Sequence, residues 1–115
     1  MKDRNIDSWA GLHISGLVLA ALLFVHLFAV HYANNVMIVG YSFETVSQRM
    51  SNVAYSYSLL TLLVVALFHG LVGLYRFIDD LGICGFRTLK TISLVLKCSG
   101  ALGLYYGIRI FIAFT

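Results

Sequence analysis

The amino-acid sequence predicts an all-α membrane protein with three transmembrane helices. Composition is the first reason. Of 115 residues, 60% are hydrophobic, 11% are charged and none is proline. A soluble domain usually carries about a quarter charged residues. The second reason is the placement of the charges. No Asp, Glu, Lys or Arg occurs in residues 8–43 or 50–75. Each run exceeds the roughly 20 residues that a spanning helix needs. The same balance excludes a disordered chain, a nucleic-acid-binding tail and an ordinary cytosolic enzyme. The chain is also too short to hold a soluble catalytic domain beside its membrane segments. It is therefore expected to form one membrane domain over residues 1–115 and not to be catalytic alone.

The first helix is expected over residues 8–33. Lys2 and Arg4 precede it, but Asp3 and Asp7 interrupt any basic leader, and the apolar stretch is longer than a signal-peptide core. Asn34-Asn35 marks its exit, and Gly40-Tyr41-Ser42 reads as loop. Glu44 to Met50 is polar and reads as a short helical turn at the surface. The second span is expected over residues 52–79. Leu81-Gly82-Ile83-Cys84-Gly85 is a glycine-punctuated connection. The third span, residues 88–114, contains Lys97 and Arg109, which are expected to snorkel to opposite interfaces. Within it, Ser99, Gly103 and Gly107 recur every four residues, a stripe suited to close helix contact. Cys84 and Cys98 form no CxxC motif and read as free structural thiols.

Three spans put the termini on opposite sides. Lys2, Arg4, Arg76, Arg87 and Lys90 then gather on the amino-terminal side, against Arg49 and Arg109 on the other. That asymmetry predicts a cytoplasmic amino terminus, or a matrix-side one in a mitochondrion.

Four histidines, His13, His26, His31 and His69, fall inside the predicted spans. Ionisable groups in lipid are costly, so they mark candidate functional positions. Imidazole is also the usual axial ligand of iron in b-type haem sites. His69 has the most informative surroundings. At about 100° per residue, Gly73, Arg76 and Asp80 fall within roughly 40° of it on one helix face. A ligand, a gap for a flat ring, a cation for a propionate and a carboxylate would then lie in a line. Asp80 stands about 16 Å from His69 along the helix axis, at the membrane boundary. His13 begins the first helix and Asp80 ends the second, so both are expected on the basic side. His26 lies about 20 Å beyond His13, too far from the depth of His69 for one iron. His31 shares a face with His13 and reads as an interfacial residue.

The segment His69-Gly-Leu-Val-Gly-Leu-Tyr-Arg-Phe-Ile-Asp-Asp80 resembles the second-helix signature of the small membrane-anchor subunits of succinate dehydrogenase (respiratory complex II) and fumarate reductase, D-type. Trp9, His13-Ile-Ser15-Gly16 and His26 are similar to that family's first-helix pattern, and Val46-Ser-Gln48-Arg49 resembles its interhelical Val-x-Gln-Arg. The resemblance covers about residues 9–81.

It implies half of a heterodimeric helical bundle that holds haem b. His69 would be a haem ligand, with Arg76 nearby and His26 as a second candidate. Asp80, His13 and Ser15 would fall at the quinone site. One haem or two would be bound, each needing a second histidine from a partner. The implied partners are a second anchor subunit, an iron–sulfur subunit, a flavoprotein subunit, quinone and the lipid of a prokaryotic cytoplasmic or mitochondrial inner membrane. Two positions depart from the family pattern. Leu81 stands where a quinone-site tyrosine is usual, and His13 where an arginine is usual.

Two other functions fit the composition. A structural or assembly subunit of a respiratory complex would use the histidines for packing. An oligomeric transporter would need a carboxylate within a span, and every Asp and Glu lies outside the span interiors. No nucleophile–base pair, phosphate-binding loop or zinc-ligand spacing is visible, and no nucleic-acid partner is implied.

Overall fold

The computed structural model describes residues 4–31 and 42–115. They form four helices in chain order. These are α1 (Arg4–His31), α2 (Phe43–Met50), α3 (Val53–Asp80) and α4 (Phe86–Phe114). No strand occurs among the described residues. Helices α1, α3 and α4 are each long and apolar enough to cross a membrane. The chain is thus an all-α membrane protein with three spans.

Helix α1 begins at Arg4, before the expected start at residue 8. Its expected end at Ala33, the Asn34-Asn35 exit and the loop at Gly40-Tyr41 lie outside the described residues, as does Lys2. The polar turn at Glu44–Met50 is the eight-residue helix α2. Ser42 caps it. Its Oγ accepts from Thr45 N at 3.2 Å, and Thr45 Oγ1 accepts from Ser42 N at 3.1 Å. That reciprocal pair satisfies donors left over at a helix start. Asn52 then caps α3 by accepting from Tyr55 N at 3.2 Å. Ser56, fully buried, donates to the Met50 carbonyl and ties the short helix to the long one. At the other end of α3, Gly82 adopts φ +63, a left-handed turn open to glycine without strain. Gly85 precedes α4 in extended conformation.

Central α3 packs against both α1 and α4. Both pairs are antiparallel, and glycine contacts set the register. Leu63, Leu67 and Leu71 of α3 meet Gly107, Gly103 and Gly100 of α4 in turn. A Cβ on Gly100 would lie 2.5 Å from Leu71 Cδ1, and one on Gly103 would lie 3.3 Å from Leu67 Cδ2. The expected small-residue stripe therefore works inside the chain, with Gly100 in place of Ser99. Ser99 is exposed and donates to the Val95 carbonyl at 2.9 Å.

On the other flank, Leu12 meets Gly73, Ser15 and Gly16 meet His69, and His26 stacks on Tyr55. Far from the α3–α4 turn, Phe43 packs on Phe114 with ring centroids 5.6 Å apart, and Tyr57 on Phe111 at 5.3 Å.

Arg109 contacts a neighbour on its own helix. Its Nη1 donates to the Tyr105 hydroxyl at 3.3 Å, and its guanidinium sits 6.0 Å from that ring. Tyr105 is one turn nearer the middle of α4. Cys84 and Cys98 are free thiols.

Candidate functional site

His69 sits halfway along α3, half-buried against α1. Its Nδ1 lies 3.0 Å from Ser15 Oγ. The hydroxyl of Ser15 also donates to the Leu12 carbonyl at 3.0 Å. A serine has one proton to donate, and a carbonyl can only accept. With that proton on Leu12, Nδ1 of His69 carries the hydrogen and donates to Ser15. The lone pair then falls on Nε2, which makes no hydrogen bond among the described residues.

Gly16 makes this approach possible. A Cβ there would lie 3.1 Å from His69 Cε1. Gly73, expected to leave a gap on the same face for a flat ring, is a separate position. A Cβ on Gly73 would meet Leu12 Cδ2 at 3.8 Å, an ordinary contact with α1. Gly70 faces open space within the chain. The cradle of His69 is thus Gly16, from the neighbouring helix. A helical wheel of α3 shows shared faces but not which residue of α1 lies opposite.

Arg76 is half-buried two turns toward the basic end, and Asp80, the last residue of α3, is exposed. Arg87 and Lys90 open α4 at the same end.

His13 is not level with Asp80. With Leu12 opposite Gly73, His13 stands near the depth of Val72, about 12 Å inward of Asp80 by helix rise. The early start of α1 at Arg4 accounts for about one turn of this difference, because residues 4–7 add helix before the expected start. Its Nδ1–H donates to the Trp9 carbonyl at 2.8 Å, and its ring lies 4.0 Å from the Trp9 ring centroid. Ser15 is likewise deeper than the boundary and is engaged by His69. The structure therefore does not bring Asp80, His13 and Ser15 together as one quinone cluster.

His26 stacks on Tyr55 at 6.2 Å between ring centroids and 21° between planes. Its Nδ1 is buried and has no hydrogen-bond partner among the described residues. Along α3, Tyr55 is about 20 Å from His69, so His26 and His69 occupy different depths. His31 is exposed at the last described residue of α1.

Among the described residues no group of three or more His, Cys, Asp or Glu side chains could hold a metal ion. A self-contained metal cage is therefore not the chemistry of these residues. His69 does fit a haem, which brings four nitrogens of its own and asks the protein for axial ligands. Its Nδ1 is fixed, its Nε2 is available, and Gly16 leaves room for the ring.

Residues 5–111 match the family described as succinate dehydrogenase/fumarate reductase transmembrane subunit. Comparison with curated proteins gives no match, and comparison with solved structures gives none.

Proposed function

Because the chain belongs to the succinate dehydrogenase/fumarate reductase transmembrane subunit family, we propose that it is a cytochrome b anchor of a succinate:quinone oxidoreductase. In this reading it pairs with a second anchor subunit, and the two hold haem b between them. An iron–sulfur subunit and a flavoprotein subunit dock at the end of the bundle that carries Asp80, Arg87 and Lys90. That end faces the cytoplasm or the matrix, in keeping with the lysine and arginine asymmetry.

The carrying observation is His69. Its Nδ1 is held 3.0 Å from Ser15 Oγ, while Nε2 has no hydrogen-bond partner among the described residues. A buried-side imidazole with one nitrogen anchored and the other available is the arrangement an axial ligand needs. Haem, when bound there, supplies one-electron redox chemistry close to the quinone. Arg76 lies two turns nearer the boundary and is placed to pair with a propionate.

Asp80 is this chain's proton-handling group at the quinone end. Reduction of a quinone takes two electrons and two protons, and an exposed carboxylate at the boundary can pass protons inward. His13 has its Nδ1–H committed to the Trp9 carbonyl. It can donate to a quinone carbonyl only as imidazolium, through Nε2. The remaining donors belong to partner subunits, since Leu81 supplies no hydroxyl.

The test is a reduced-minus-oxidised spectrum of the purified complex, with haem counted per complex. A low-spin b-type signal that His69→Ala abolishes is the expected result. A signal untouched by His69→Ala removes the ligand assignment. A complex without haem leaves the chain as a cofactor-free structural anchor. Two haems per complex, one lost with His26→Ala, would assign His26 to the second.

A further inference from the structure

We propose that Ser15 is the positioning residue of His69: it fixes the imidazole as its Nδ1–H tautomer and so directs Nε2 toward the iron. This deepens the haem reading above and rests on it. Sequence pattern had placed Ser15 at the quinone, yet three observations place it on the histidine.

The hydroxyl is buried, 3.0 Å from His69 Nδ1 and 3.0 Å from the Leu12 carbonyl. The carbonyl takes the only serine proton, which leaves the serine lone pairs to accept from Nδ1–H. The next residue is Gly16, where any side chain would press on the same ring, with a Cβ 3.1 Å from Cε1. Adjacent positions of α1 thus supply the acceptor that selects the tautomer and the space that admits the ring.

The electronic consequence follows from the bond's direction. A ligand histidine that donates its second N–H becomes more basic and favours the oxidised iron. An imidazole without that acceptor rotates about its side-chain bonds and exchanges tautomers. In a span, no bulk water replaces the lost partner.

The test compares Ser15→Ala, Ser15→Thr and His69→Ala in the purified complex. Ser15→Ala is expected to weaken haem retention by roughly 10–100-fold, the usual effect of losing a ligand's outer partner. The haem midpoint potential is expected to move to more positive values. Ser15→Thr keeps the hydroxyl and is expected to restore both. Wild-type retention and potential in Ser15→Ala overturn the proposal. Loss in Ser15→Thr equal to that in Ser15→Ala also overturns it, because packing alone would then explain the effect.

A second measurement is independent of haem. Nitrogen-15 shifts of His69 in the haem-free full chain, in lipid nanodiscs, are expected to show a protonated Nδ1 and a bare Nε2. A bare Nδ1 overturns the proposal, even where Ser15→Ala fails to assemble. A b-type signal that persists in His69→Ala instead removes His69 as the ligand and leaves the tautomer result to stand by itself.

Discussion

At the residue scale, the α1–α3 contact gives two glycines different neighbours. Gly73 is the expected gap for a flat ring because it shares the His69 face of one helix, and its neighbour on α1 is Leu12. Gly16, on the other helix, is what the imidazole of His69 touches. Gly16→Ala is expected to push the ring by a few tenths of an ångström, strain its bond to Ser15 and reduce haem per complex. Gly73→Ala adds a methyl at ordinary contact distance from Leu12 and is expected to keep wild-type haem content. Haem quantitation of the two variants checks this; equal loss, or greater loss at Gly73, counts against the packing. The shared face of His69, Arg76 and Asp80 was legible because their spacing on one helix is fixed by helix geometry alone. Ser15 and Gly16 were visible as residues but not in their roles. Those roles depend on which helix neighbours α3 and in what register, and periodicity within one helix carries no such information.

Among the elements, α3 and α4 show the same distinction in their packing. The charge-free runs and the glycine-rich connection made the spans readable, since lipid tolerates few charges and little unpaired backbone. The register was not readable. Positions four apart drift by about 40° each, so Ser99 stands about 80° from Gly107, whereas Gly100, seven residues away, is offset by only about 20°. The contact accordingly uses Gly100, Gly103 and Gly107 against Leu71, Leu67 and Leu63. A Cβ on Gly107 would overlap Leu63 Cδ2 and crowd its Cγ at 3.5 Å. Gly107→Val is therefore expected to destabilise the helix pair by about 1–3 kcal/mol, the usual range for overpacking. Combining it with Leu63→Ala is expected to recover part of that loss, since the two positions share one contact. Thermal unfolding of the purified complex reads both effects. Simple additivity of the two substitutions would show that Leu63 and Gly107 do not meet.

At the scale of the whole molecule, the chain has almost no interior. Val30 and Met50 are the hydrophobic residues that reach full burial among those described, both at 7% exposure, while Leu17 and Phe24 stay 75% and 70% exposed. In water that surface would drive aggregation. In a bilayer it is ordinary, and the described residues extend 52 Å along their long axis, against about 40–45 Å for a membrane with its headgroups. With three spans, the orientation is set by where the basic residues fall. Arg76 near the end of α3 and Arg87 and Lys90 at the start of α4 lie at one end, joined in sequence by Lys2 and Arg4; Arg49 in α2 lies at the other. Arg109, near the end of α4, joins Arg49 on that side. Positive residues are retained on the cytoplasmic side, so the carboxyl-terminal end should emerge on the far side. Alkaline phosphatase fused after Thr115 in a bacterial inner membrane is expected to be active, and green fluorescent protein at the same position dark. Arg49→Glu is expected to leave that pattern unchanged, because it strengthens the asymmetry. The opposite pattern in the wild-type fusion would place Asp80 and His69's nearer end outside the cell, on the wrong side for an iron–sulfur partner, and would overturn the proposed direction of electron entry even if haem were bound.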